Sequence, residues 1–326
     1  MLAAALAAIA LAAPSGPAVA FGDAQHGWAG GKGGLLQTSD GGATWRRVAG
    51  GRVLELRALD ARTVWALEPG AVVQTTNETS WIRHGTPPLA ALAPVSGSTA
   101  FALDRSGFLR RTPDGLAWPR ARGAPTGLQA LCFASPTRGW VARGGSVWTT
   151  RDGGGRWTHA RLLPTRQGFP IPQLACRGSD VWVVFHEGAA AGTEGYRVLR
   201  SLDAGSTWKA AFASPAQPRL PAISNYAGPL SALDGGRAVL VGWCGPCGRF
   251  QPTVTIVRTS NGGRSFARST PFDGFWPYDV SFVASRRGFL LTGARARGRG
   301  GIVWRTLDGG RTWRRVLRSA ALVPTP

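Results

Sequence analysis

Apolar positions fall in short segments separated by glycine-rich polar turns, and the same order recurs along the chain. A short apolar segment leads to a Gly-Trp-like pair. A glycine turn follows, and a second apolar segment runs into a polar corner that ends on an aromatic, as in Thr38-Ser39-Asp40-Gly41-Gly42-Ala43-Thr44-Trp45. Segments this short, bounded by turn residues, predict strands.

The corner occurs seven times. Its Asp or Asn is Asp40, Asn77, Asp114, Asp152, Asp203, Asn261 and Asp308, and its aromatic is Trp45, Trp81, Trp118, Trp157, Trp208, Phe266 and Trp313. The copies ending at Trp81 and Trp118 are one residue shorter, and all seven have a hydroxyl two residues before the Asp or Asn. The acidic or amide side chain can accept backbone N–H bonds and fold a tight turn. Glycine supplies the positive φ, and the aromatic packs back under the hairpin. These residues are therefore read as structural.

Spacings of 37, 37, 38, 51, 58 and 47 residues between the seven corners suit a propeller or solenoid. With four short strands per period, the expected fold is all-β, a seven-bladed propeller of four-stranded antiparallel blades. A solenoid is disfavoured because nothing resembles a terminal cap. Trp28, Trp65, Trp140, Trp182 and Trp243 are read as second-strand core aromatics, with Phe101 and Phe289 in matching places. Trp148 and Trp304 each lie four residues before their Asp, which leaves Trp276 as the tryptophan outside the repeat.

The corners resemble the Asp-box, or BNR, repeats of sialidase-like propellers. The wording His26-Gly27-Trp28-Ala29-Gly30 followed by Leu35 through Trp45 is most similar to the photosystem II assembly and stability factor-like family. The resemblance covers roughly residues 21 to 317. It implies a non-catalytic seven-bladed propeller.

Residues 2 to 13 form an unbroken apolar run, too short to span a bilayer. Ala18-Val19-Ala20 then resembles a leader cleavage site, although no positive residue precedes the run. The expected organisation is an export signal over 1–20 and one propeller over 21–326, in a periplasmic, cell-surface or secreted monomer. If the chain is cut after Ala20, the tail Val316 to Val323 becomes a candidate closing strand.

With strands antiparallel, the corners and the first-to-second turns share one face. The long segments 187–195, 244–252 and 295–301 join second to third strands, and 164–172, 215–229 and 270–277 link blades. All fall on the opposite face, over blades four to seven. Loops on a rigid scaffold carry binding. The candidate partner contacts are Tyr196, Tyr226, Arg249, Phe275, Trp276, Tyr278, Arg295, Arg297 and Arg299.

Net charge is +21, with 36 Arg against two Lys. Much of it follows the corner aromatics as an edge rim that discourages strand pairing between molecules. The excess could attract an acidic protein or an anionic surface polymer, with peripheral membrane association also open. No nucleic-acid module is present, and nucleic acid is not an expected partner. Trp243-Cys244-Gly245-Pro246-Cys247 matches a thioredoxin-like redox motif in letters, but that chemistry needs a helix where a β-branched strand follows. A Cys244–Cys247 loop disulfide is expected instead. Whether Cys132 and Cys176, in neighbouring blades, also pair is left open by the sequence.

Four scattered histidines give no metal spacing, so neither metal nor cofactor is expected. A sialidase site would need an arginine cluster with a Tyr–Glu pair. Tyr196 with Glu194 or Glu187 is the one close pairing, and the family's early Arg-Ile-Pro motif is absent. The reading is an exported, non-catalytic protein-binding scaffold or assembly factor. The alternative is a sialidase-like protein that binds or cleaves glycans.

Overall fold

In the computed structural model the alternation becomes strands throughout. The structure describes residues 16–164, 170–218, 220–245, 247, 253–273, 275–293 and 300–323, and these contain no helix. They form seven antiparallel sheets, each built from consecutive strands. Blade one is representative: β1 (Ala18–Phe21), β2 (Gly27–Gly31), β3 (Gly34–Thr38) and β4 (Arg46–Ala49), hydrogen-bonded in that order. The first strand therefore includes Ala18, Val19 and Ala20, which fall within the segment 1–20 read from the sequence as an export signal.

Six sheets have four strands and the third has three. There the short corner runs into Pro119, which has no N–H to donate. What remains of the outer strand is an isolated bridge between Arg110 and Arg120.

Each corner is built as its residues require. In all seven copies the hydroxyl donates to Oδ1 of the Asp or Asn, at 2.7–3.2 Å. In six, a glycine N–H donates back to that hydroxyl. The Asn77 copy lacks the glycine, and Glu78 itself takes φ 67°. Four corner tryptophans (45, 157, 208 and 313) donate their indole N–H to a corner glycine carbonyl at 3.0–3.2 Å. The two short copies forgo this bond: the indole nitrogens of Trp81 and Trp118 are buried without an acceptor.

The second-strand aromatics Trp28, Trp65, Phe101, Trp140, Trp182 and Phe289 are buried to 1% exposure or less. Glycine precedes three of them for a steric reason. A β-carbon on Gly27, Gly139 or Gly288 would lie 2.2–2.5 Å from the ring of Phe21, Phe133 or Phe282.

Trp243 is an exception to the expected assignment. In the six other blades the corner hydroxyl residue pairs with the residue just before the core aromatic, as Gly27 with Thr38. In blade six Thr259 pairs with Ala238, so Val239 holds the core position. Trp243 lies four residues further along, at the opposite face.

Blades are joined by side chains reaching to the next blade. Leu92 N–H donates to Glu55 Oε2 at 2.8 Å, and Phe282 N–H to Ser231 Oγ at 3.1 Å. Outside these, Arg305 donates to the Gly41 carbonyl at 2.9 Å and Arg258 to that of Gly309 at 3.1 Å. Blade one is entirely N-terminal and blade seven entirely C-terminal. Arg314–Ser319 is the outermost strand of blade seven, so the tail supplies no closing strand. Beyond it, Ala321 O accepts from Gly33 N–H and Leu322 is fully buried.

Candidate functional site

The described parts of the elaborated segments lie on the face opposite the corners, as the antiparallel order requires. The largest is a hairpin of blade five formed by Asp180–Ala190 and Thr193–Ser201, whose tip residues are exposed. Glu194 anchors it to the entry of blade six. Its N–H donates to Asn225 O at 2.9 Å, and its Oε2 accepts from Ala227 N–H at 2.9 Å. Its Oε1 lies 2.7 Å from His186 Nδ1. Asn225 returns two bonds, from Nδ2 to Gly192 O and to Thr193 Oγ1. The hairpin is therefore a fixed wall beside blade six.

Against this wall stands an aromatic platform from three segments. Tyr226 opens the first strand of blade six, Trp243 is next to last in the second, and Trp276 precedes the first strand of blade seven. Tyr226 and Trp243 stack with centroids 3.9 Å apart and planes 5° apart. Trp276 meets Trp243 edge-on at 4.4 Å and 68°. Trp276 is 39% exposed, so one large ring remains presented to solvent. The Cys244–Cys247 disulfide borders the platform, with Cys247 exposed.

The other sequence candidates do not join it. Tyr196 is fully buried and cannot touch a partner. Its hydroxyl donates to Ser224 O at 2.8 Å and accepts from Ile223 N–H at 2.7 Å, and burial raises its pKa. Phe275 is 9% exposed and packs edge-on against Trp304, with centroids 5.2 Å apart. Tyr278 is half-buried among the residues that join blades seven and one. Arg249, Arg295, Arg297 and Arg299 lie outside the described residues. Sequence reasoning missed Trp243, which it had assigned to the core. Its Gly-Trp wording matches the core pairs, and only the strand pairing of Ala238 with Thr259 separates it from them.

A sialidase-like centre can be checked against the same geometry. Among the described residues the innermost strands bring in two arginines, Arg57 in blade two and Arg177 in blade five. Each is ion-paired, with Glu55 and Asp234 respectively. Tyr196 and Glu194 share no hydrogen bond, because each is committed to the blade-six entry. Two acids near the ring axis have raised pKa values. Burial raises Glu55, and burial pushes Asp279 up to about 6, with Arg57 opposing in both cases. Their oxygens accept backbone N–H groups from Leu92, Val19 and Val280, so they serve the ring. Among the described residues no cluster of three His, Cys, Asp or Glu side chains could hold a metal.

No family model and no curated protein matches the chain. Among solved structures, YCF48 bound to a D1 peptide is similar at 18% identity, over 92% of this chain and 96% of that one, with TM-score 0.60. YCF48 from Cyanidioschyzon merolae is similar at 15% identity, over 90% and 95%, with TM-score 0.61. The GH74 xyloglucanase from Xanthomonas campestris is similar at 13% identity and TM-score 0.64. The match covers 95% of this chain but 55% of that enzyme. At these identities the likeness establishes the propeller fold. It includes the photosystem II assembly-factor propellers that the repeats resemble.

Proposed function

We propose that this chain is an exported, non-catalytic propeller that captures a protein partner on its long-loop face, with the Tyr226–Trp243–Trp276 platform as the anchor. The observation that carries this reading is the exposed Trp276 ring fixed on a stacked pair, beside a hairpin pinned by Glu194. Pre-ordered aromatics are the usual hot spots of protein interfaces, because little side-chain entropy is lost on binding. YCF48, one of the similar propellers, is described with a bound D1 peptide, a precedent for peptide capture on this fold. Two disulfides and an apolar N-terminal run support export to an oxidising compartment. No helix among the described residues is long and apolar enough to cross a membrane.

The second reading is glycan binding or cleavage, since GH74 enzymes share the fold and an exposed tryptophan also suits a sugar ring. The two readings separate in one comparison. Partner capture from the native host should fall with Trp276→Ala, and xyloglucan and fluorogenic sialosides should be neither bound nor cleaved. Turnover of either glycan would reverse the order.

A further inference from the structure

The strand that closes the ring is also the stretch that resembles a processing signal. β1 contains Ala18-Val19-Ala20, a small-x-small pattern of the kind read by leader peptidases. In the folded ring these residues are 4%, 2% and 6% exposed. β1 pairs with β2 along its whole length, from Ala18 opposite Gly30 to Phe21 opposite Gly27. Its other side meets blade seven. Val19 N–H donates to Asp279 Oδ2 at 2.9 Å, Phe21 N–H donates to Ser281 Oγ at 3.1 Å, and the Phe21 ring stacks on Phe289. Packing continues upstream, where a β-carbon on Gly31 would come 3.3 Å from Pro17 Cβ.

We infer that the Ala18–Ala20 triplet is a ring-closing strand and that the mature chain starts no later than Pro17, with any leader cleavage upstream. A cut after Ala20 would remove three of the four residues of β1. It would unpair the inner edge of β2, whose Trp28 is fully buried. It would also strip the Val19 N–H from the desolvated Asp279 carboxylate, and a buried acceptor without its donor is costly. Among the described residues no other segment is free to substitute, since the C-terminal strand already completes blade seven and the tail beyond it is packed on Gly31 and Gly33.

The test is the N terminus of the protein exported from its own full-length chain, read by intact mass and N-terminal sequencing. A start at or before Pro17 is expected, and a start within β1 or after it overturns the inference. Val19→Pro in the full chain gives an independent measurement, because it removes the donor facing Asp279 while Val19→Ala keeps it. The proline variant should melt roughly 5 °C or more below wild type, and well below the alanine variant. Equal melting of wild type and both variants would overturn it as well.

Discussion

Replacing both Cys132 and Cys176 by alanine should lower the stability of the ring by up to about 4 kcal/mol. The bond joins the innermost strands of blades four and five, with Cα atoms 6.0 Å apart and a sequence separation of 44. Closing a loop of that length restricts the unfolded chain by about 4 kcal/mol at 25 °C. Unfolding entropy near 2 cal/mol/K per residue then converts this to a drop of about 6 °C in the melting midpoint of a chain this size. The Cys244–Cys247 bond provides an internal comparison. It closes a loop with a sequence separation of 3, and the same relation gives about 1–2 kcal/mol. Calorimetry of both double-alanine variants under non-reducing conditions should therefore show the larger shift for the 132/176 pair. Equal shifts, or no shift for 132/176, would refute the reasoning. Titration of four thiols in the unfolded, unreduced protein would do so more simply.

Other expectations concern the corners, the seam and the platform. Asp203→Ala should cost about 1–2 kcal/mol, because its carboxylate accepts from the Ser201 and Thr207 hydroxyls and from Thr207 N–H. The Thr207 hydroxyl chiefly holds the Asp203 pKa down to about 2, so this contribution is present above about pH 4 and fades as pH falls toward 2. A variant as stable as wild type in urea at pH 7 would contradict it. Asp279 has the opposite sign. Burial raises its pKa to about 6 from 3.8, so wild type should lose roughly 2 kcal/mol as pH rises from 4 to 7. Asp279→Asn, which retains an acceptor for Val19, should remove that loss and stabilise the ring at neutral pH; matching pH profiles would rule this out. Trp276→Ala should weaken partner binding roughly 30-fold or more, with little change in melting. A large melting shift would mean that the ring is structural.

The repeat was legible because the corner is self-contained. Hydroxyl, Asp or Asn, glycine and aromatic all act within one turn, so seven copies could be found by eye. What failed is non-local. Trp243 follows a glycine like the core tryptophans, and only the pairing of Thr259 with Ala238 shows that Val239 holds the core position. The links between blades were invisible for a related reason. The residue before each corner hydroxyl reaches the next blade, yet it is Gln37 in blade one and Arg305 in blade seven, so no single letter marks the role. Ala18-Val19-Ala20 read as a cleavage signal because the blade-seven residues that its strand meets, Asp279 and Ser281, are 260 positions away. Tyr196 appeared to be a loop aromatic because its partners, Ile223 and Ser224, lie in the link to the next blade.

The central claim is that the long-loop face holds the partner. The chain has just two lysines, Lys32 and Lys209, for amine cross-linkers, so a photoreactive benzoylphenylalanine is the better probe. Placed at position 276 on the platform, and separately at Leu307 on the corner face, which is 55% exposed, it should trap one discrete protein from the native host at 276 and none at 307. Trapping at 307 alone would put the partner on the opposite face and contradict the account.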